Sequence, residues 1–273
     1  MATAKPKAPP KTTKPGTAVA VSRAKVNLPA LPENLQEQMD SEIAAFQNRL
    51  SAPGGDRIKV SQEKLFELPN GDTSDELDCI IVDFVSFNAY YEGAYNPNNI
   101  TPPKCFAIGL EPTGMIPSAN SPECQAESCT ACWANAWKSG TGNGKACNNT
   151  KLLAVLPPDG DMETPLMILK VSATGLKAYD SYVASVARTF QRPPRGVLTT
   201  ITFDPNVTYA SLRFGNPRPC DKNQLALAFA RKEEALQRLL TEPDVSAFAA
   251  ETPAPKPKAL QKPAARKPVK RAA

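Results

Sequence analysis

The chain has 273 residues and a net charge of +5, with 28 prolines, seven cysteines and no histidine. Without histidine for general-base work, and without a G-x-S-x-G elbow, an enzyme is not expected, although a carboxylate-based nuclease stays open. The N-terminus lacks the apolar stretch of a secretory signal, and no apolar run approaches the roughly 18 residues of a membrane span, so we expect a cytoplasmic protein with reduced thiols and no membrane partner.

The basic charge is concentrated at the two ends of the chain. Residues 1–32 contain six Lys or Arg and residues 252–273 contain seven, and neither segment contains Asp or Glu, so residues 33–251 sum to −8. Both ends are rich in Pro, Ala and Lys, which bury too little apolar surface to offset chain entropy. We therefore predict two disordered basic tails around a single globular domain at 33–251. Such tails suit a polyanion, although solubilising tails or tethers are the simpler interpretation.

The first half of the domain shows a helical pattern followed by strand patterns. Apolar residues at helical spacing predict an amphipathic helix over 34–50. Short strands are predicted at Arg57–Val60 and Lys64–Leu68, closed by the turn Pro69-Asn70-Gly71. The run Leu77–Phe87 is almost continuously β-branched, aromatic or apolar, which predicts a central strand.

Residues 92–150 lack periodicity and are dense in Pro, Gly, Asn and Cys, so we predict an inserted subdomain that a metal holds together. Regular structure is predicted to resume with strands at Lys151–Leu156 and Pro165–Val171 and a helix over 174–190. A hairpin is then predicted from Val197–Phe203 and Val207–Phe214, followed by a last helix over 222–241. These elements predict a mainly β (α+β) fold, in the form of an oligonucleotide-binding-like barrel with an inserted Cys-rich metal subdomain. An α+β sandwich is the alternative.

Five of the seven cysteines lie in this insert. Cys129 and Cys132 form a C-x-x-C knuckle, whose tight turn can point two thiolates at one tetrahedral ion. Cys105 and Cys147 flank the knuckle at loop distances, and Cys124 is a fifth candidate. Because the chain has no histidine, ligation would be all-thiolate, which favours Zn²⁺ and leaves an iron–sulfur cluster as the alternative. A redox motif or unligated thiols are the simpler interpretations.

Several short motifs between residues 80 and 215 share a further pattern. They are Asp83-Phe84, Asn88-Ala-Tyr90-Tyr91, Pro102-Pro103-Lys104-Cys105, Cys129-Thr-Ala-Cys132 with Asn135, Gly144-Lys145-Ala146-Cys147, Ile168–Val171, Tyr182 and Thr199–Phe203. Together they resemble a group of tailed-bacteriophage replication-region proteins associated with single-stranded DNA binding, over about half of the chain. The resemblance implies that four cysteines bind the metal, namely Cys105, Cys129, Cys132 and Cys147, and that Cys124 is extra.

The chain departs from that family pattern in two places. Trp133 stands where a proline often follows the C-x-x-C, and Lys138-Ser139-Gly140 replaces a slightly different Gly-Ser turn. These departures leave the four-cysteine pattern intact but fall where a base contact would lie. A zinc insert in an oligonucleotide-binding barrel is also similar to large-phage replication single-strand-binding proteins, which use a histidine that this chain lacks.

Non-specific binding of a single strand needs aromatic faces for the bases and cations for the backbone. The nucleic-acid-binding candidates are Tyr91, Tyr95, Trp133, Trp137, Lys138, Lys145, Lys170, Arg192, Arg195 and Arg213. Trp133 and Trp137 would share one face of a short helix, although aromatic residues near a metal site can instead pack over it.

The sequence therefore predicts non-specific single-stranded DNA binding in phage replication or recombination, in the host cytoplasm if the chain is phage-encoded. Replication proteins are candidate further partners. The alternatives are a phage regulatory protein that docks on a host or phage protein through its metal knuckle, and a structural component of the virion.

Overall fold

The computed structural model describes residues 56–93 and 101–245, together with residues 32, 34–39 and 41–42. Apart from Pro32, both predicted basic tails lie outside the described residues. The predicted helix over 34–50 is helical at 34–39 and 41–42, and the rest of it lies outside the described residues. Among the helices described, none combines the length and the apolar character that crossing a lipid bilayer requires.

The described residues form one nine-stranded mixed sheet that curls into a half-barrel. Its strands are β1 (Arg57–Val60), β2 (Phe66–Glu67), β3 (Thr73–Ser74), β4 (Leu77–Tyr90), β5 (Cys105–Gly109), β6 (Cys147–Leu156), β7 (Met167–Val171), β8 (Val197–Phe203) and β9 (Leu212–Pro219). The order across the sheet is β3-β2-β1-β7-β6-β4-β8-β9, and β5 pairs with β4. Only β1 and β7 run parallel; the other pairs in this sheet are antiparallel. The predicted mainly β fold with a few helices is confirmed.

Strand β4 is the central strand that the sequence predicts, and it extends three residues further than expected, to Tyr90. One edge pairs with β6, and the other edge pairs first with β8 and then with β5. A register shift between Ile81 and Asp83 marks a bulge in the pairing with β6. The strand is almost continuously apolar because both faces of the sheet are covered, so neither set of alternating side chains reaches water.

Helices cover the two faces of the sheet. Helix α1 (Leu176–Phe190) follows the 3-10 turn Ala173–Gly175 and packs on one face, where Tyr179 is fully buried. Helices α2 (Lys222–Ala230) and α3 (Lys232–Leu239) form the cover of the other face. Leu153 belongs to the core under α1, and its neighbour Leu152 to the core under α3, as the alternation of a strand requires.

The C-terminal helix predicted over 222–241 is instead two helices, and the break lies at Arg231. The backbone there leaves the helical region, with φ −87° and ψ 2°. The Arg231 side chain is buried, and its guanidinium donates to the carbonyl oxygens of Met162 (2.8 Å) and Thr164 (2.9 Å) while it pairs with Glu234. The break therefore lies at the residue that ties the helices to the loop before β7.

The second strand of the predicted hairpin lies five residues later than expected, because β9 begins at Leu212 rather than at Val207. Residues 204–207 form a loop that Lys64 holds: its ammonium donates to the carbonyl oxygens of Asp204 (2.9 Å) and Val207 (2.6 Å). Strand β9 contains two prolines, which an edge strand tolerates because its outer amides have no strand partner.

Candidate metal centre

The end of the central strand brings two of the predicted ligands together. Tyr90, the last residue of β4, pairs with Cys105 at the start of β5 and with Cys147 at the start of β6. Directly opposed residues in antiparallel strands point to the same face of the sheet. Cys105 and Cys147 are 42 positions apart in the chain, yet they flank Tyr90 on one face.

The other two predicted ligands lie in the loop that covers this face. The amide of Cys129 donates to the carbonyl oxygen of Met115 (2.9 Å), and both side chains are buried against Ala107 of β5. Cys132 precedes the 3-10 turn Trp133–Asn135. The Asn135 side-chain amide closes the knuckle by donating to the carbonyl oxygen of Cys129 (2.7 Å).

All four predicted thiols line one enclosed cavity of about 10 Å³. Its remaining lining is Asn88, Tyr90, Phe106, Ala107, Pro117, Gln125 and Asn135. Cys124 does not line this cavity; it is exposed and lines an outer groove with Ile116. A space of this size holds about one water-sized body, and the thiols supply only sulfur donors, which suits a single thiophilic ion such as Zn²⁺.

The described part of the chain contains no group of three or more His, Cys, Asp or Glu side chains already arranged to hold a metal ion. The four sulfurs thus share a cavity without the spacing of a complete ligand shell. Strand register and the knuckle hydrogen bonds set the cavity, whereas rotation about one bond moves each sulfur. What these residues can bind therefore depends more on the shared cavity than on the present positions of the four sulfur atoms.

Three of the four thiols, those of Cys105, Cys129 and Cys147, have raised pKa values, which favours their neutral form where no cation is present. Burial, with a smaller contribution from the neighbouring thiols, raises the pKa of Cys147 to about 12, and Lys145 opposes this shift. Burial also raises the pKa of Cys105 and of Cys129; a hydrogen bond from Asn88 opposes the shift at Cys129. A bound cation reverses this balance because the thiolate is the ligand, so metal binding at this site would release protons.

Two tryptophans lie on the surface of residues 104–147, the segment that contains the four thiols and is called the cysteine lobe below. Trp133 is 50% exposed and packs edge-on against Tyr90, with ring centroids 5.4 Å apart. Trp137 is 75% exposed, and the Lys145 ammonium lies 5.3 Å from its ring centroid. The 3-10 turn ends at Asn135, so the predicted short helix that would carry both rings is not formed. Lys138 is exposed beside them.

Two other predicted contacts belong to the opposite face of the sheet. Tyr91 is half-buried against the core under α3, and this burial raises its pKa. Lys170 is exposed, with its ammonium 5.8 Å from the ring centroid of Phe87. Neither side chain lines the thiol cavity, because successive residues of a strand point to opposite faces. Tyr95 lies outside the described residues.

The three predicted arginines lie away from the cysteine lobe. Arg195 pairs with Asp83 (3.3 Å) and Arg213 with Asp204 (2.7 Å). Arg192 is exposed and donates a long hydrogen bond (3.5 Å) to the carbonyl oxygen of Gly196 in its own turn. Of the ten predicted nucleic-acid contacts, the structure therefore gathers four on the lobe: Trp133, Trp137, Lys138 and Lys145.

Sequence reasoning assigned no role at the site to Asn88, or to Asn135 beyond its place in the motif. Asn88 lies two residues before Tyr90 on the same face of β4, and strand alternation from Tyr90 would have indicated it. The spacing of Asn135 from Cys129 carries no comparable signal. Comparisons with protein-family models, curated proteins and solved structures find no match to this chain.

Proposed function

We propose that the protein binds single-stranded DNA without sequence specificity, in phage-type replication or recombination in the cytoplasm of a host cell. The observation that carries this proposal is the exposed Trp137 ring with the Lys145 ammonium over it. A large aromatic side chain open to solvent beside cations suits base stacking combined with attraction to phosphate. Lys138 adds a second cation to this surface.

The proposal includes a structural metal ion. Zn²⁺ bound by Cys105, Cys129, Cys132 and Cys147 would join β5, β6 and the knuckle, and so would fix the loop that carries the tryptophans. An iron–sulfur cluster on the same thiolates is the alternative. In this interpretation the curled sheet is a barrel of the oligonucleotide-binding type and the cysteine lobe is its inserted subdomain.

Charge explains the part that the tails would play. Residues 33–251 carry a net −8, so the body as a whole repels a polyanion. The thirteen cations of residues 1–32 and 252–273 would supply the long-range attraction, and the lobe would supply contacts to bases. Binding would then be salt-dependent and tolerant of sequence.

The direct test is binding of full-length protein to fluorescein-labelled oligo-dT by anisotropy at low salt, with a matched duplex for comparison. We expect oligo-dT to bind more tightly than the duplex and its affinity to fall steeply as salt rises. Failure to bind oligo-dT at low salt would contradict the proposal.

The metal is tested separately, by elemental analysis and a visible spectrum of protein purified without oxygen. One zinc per chain in a colourless sample is expected. A brown sample with charge-transfer absorption would indicate the iron–sulfur alternative, and protein that neither retains nor takes up metal would rule out both.

One observation favours a second function, docking on a replication protein. Leu110 is 57% exposed and Ile116 is 67% exposed, on the loop whose Met115 contacts Cys129. Both side chains lie on the segment that follows β5, and exposed apolar side chains that form one patch are typical of a protein interface. Capture of a replication protein from nuclease-treated lysate by wild-type protein, but not by a Leu110→Ser, Ile116→Ser variant, would support docking.

A further inference from the structure

Lys145 connects the thiol cavity to the exposed tryptophan. Its ammonium donates to Asn135 Oδ1 (3.0 Å) and lies 5.3 Å from the centroid of the Trp137 ring. Asn135 in turn donates to the carbonyl oxygen of Cys129 (2.7 Å), and Lys145 itself stands two residues before Cys147. One side chain therefore contacts the knuckle and the stacking ring while its backbone leads directly into β6.

A cation at this position has an electrostatic role in a four-cysteine site. Four thiolates around one divalent ion leave a net charge of −2, and a partly buried charge requires a nearby opposite charge. Lys145 is half-buried, so solvent screens its interaction with the thiolates less than it would screen an exposed lysine.

The other lysines of the lobe are less suited to this role. Lys104 precedes Cys105, but its ammonium is held by ion pairs with Glu92 and Glu123. Lys138 is exposed, and within the described residues the structure gives it no ion pair or hydrogen bond. Lys145 is thus the lobe lysine that contacts the site and that, among the described residues, has no ion pair with a carboxylate.

We propose that Lys145 is a positioning residue that couples metal binding to base stacking. It offsets the charge of the thiolates and supports the Trp137 ring from one side, so the metal and the single strand each favour the same arrangement of Lys145. Coupling of this kind is reciprocal: if metal raises the affinity for a single strand, the strand raises the affinity for metal by the same factor. The inference rests on the proposed function: its DNA arm on single-strand binding, and its metal arm on the proposed four-cysteine site.

The test compares variants with matched charge changes on the same segment. Lys145→Met removes the charge and keeps an apolar stem, Lys145→Arg keeps the charge, and Lys138→Met removes a charge that does not contact the site. Zn²⁺ affinity is measured by competition with a chromophoric chelator at fixed pH. Oligo-dT affinity is measured by anisotropy for metal-loaded and metal-free protein.

We expect Lys145→Met to lower Zn²⁺ affinity by about 10-fold, the lower end of the range for residues that support metal ligands. It should also lower the oligo-dT affinity of metal-loaded protein about 2- to 5-fold, the size of an exposed cation–π contact. Lys145→Arg should retain most of both affinities. Lys138→Met should weaken oligo-dT binding and leave Zn²⁺ affinity unchanged.

Equal Zn²⁺ affinities for Lys145→Met, Lys138→Met and wild type would overturn the inference, as would a wild-type protein that takes up no metal. A thermal unfolding curve of each metal-loaded variant distinguishes loss of the contact from loss of the fold, and retention by Lys145→Arg gives a second check. If no form binds oligo-dT, the proposed function fails, while the Zn²⁺ titrations still decide the role of Lys145.

Discussion

Replacement of Trp137 by alanine separates a binding role from a structural one. The ring is 75% exposed and its described contact is the cation–π contact with Lys145, so its loss should change the free energy of unfolding by no more than about 1 kcal/mol. Because the Lys145 ammonium lies over the ring, one face remains for one base. One stacking platform contributes about 1–3 kcal/mol, so oligo-dT affinity should fall about 5- to 150-fold.

The same substitution at Trp133 should give the opposite pattern. Trp133 is half exposed and packs edge-on against Tyr90, and an aromatic pair of this kind contributes about 0.5–1.5 kcal/mol to stability beyond its buried area. Trp133→Ala should therefore lower the free energy of unfolding more than Trp137→Ala and lower oligo-dT affinity less. Tyr209→Ala removes another exposed ring, 53% accessible and distant in sequence, and serves as the control.

The two quantities are measured by anisotropy with labelled oligo-dT at one salt concentration and by urea denaturation. The chain contains only two tryptophans, so Trp133→Phe leaves Trp137 as the sole tryptophan reporter of base stacking. We expect its fluorescence to be quenched as oligo-dT binds. If Trp137→Ala binds as well as Tyr209→Ala and Trp133→Phe shows no quenching, the lobe is not a stacking surface.

Three further outcomes test the site and the fold. Cys124→Ser should keep its full metal content by elemental analysis, whereas Cys147→Ser should lose it, because only the second thiol lines the cavity. Arg231→Met should lower the free energy of unfolding by about 1–3 kcal/mol in urea, since it leaves part-buried carbonyl oxygens without their donor. The pKa of Cys147 is raised from 9.0 to about 12. The neutral Cys147 thiol therefore stabilises metal-free protein below pH 9, and this contribution is lost as the pH rises toward 12. The urea midpoint should therefore be lower at pH 10 than at pH 8 for metal-free protein. It should not be lower for metal-loaded protein, where the thiolate is already ionised. An equal decrease for both forms would contradict the reasoning.

The elements that sequence patterns predicted well are those whose residues have a single dominant environment. Ten of the fourteen residues of strand β4 are apolar because helices cover both faces of the sheet there. Helix α1 was predicted over 174–190 because its apolar side chains repeat at helical spacing. The observed helix begins two residues later, at Leu176. Cys79 shows the same effect, since it lies within β4 and is fully buried.

Long-range contacts decide the elements that were predicted poorly. The start of β9 depends on Lys64, whose ammonium holds a loop about 140 residues further along the chain. The break between α2 and α3 lies at a buried arginine, which local composition presents as an exposed helical residue. Strand β5 was missed because its five residues lie in a stretch rich in Pro and Gly, where no periodicity can be read.

At the site, the sequence indicated which cysteines to consider but not how they meet. The irregular spacing of Cys105 and Cys147 has a simple origin, since both pair with Tyr90 from either side of β4. The sequence could not say which face of β4 the knuckle would cover. Tyr91 was therefore favoured as a surface contact, whereas it packs against the core and its neighbour Tyr90 lines the cavity.

The contributions of the tails and of the cysteine lobe to oligo-dT affinity should differ in their salt dependence. Residues 1–32 and 252–273 together carry thirteen cations. Each phosphate neutralised on a single strand contributes about −0.7 to the slope of log affinity against log salt. Full engagement of both tails therefore gives a slope of about −9. Deleting both tails should bring the slope close to that of one or two contacts from Lys138 and Lys145. Trp137→Ala should instead lower the affinity by a similar factor at every salt concentration, because stacking releases no counterions. Titrations with oligo-dT over a range of salt concentrations would show either two separable effects or, if the tails act only as tethers, an unchanged slope after their removal.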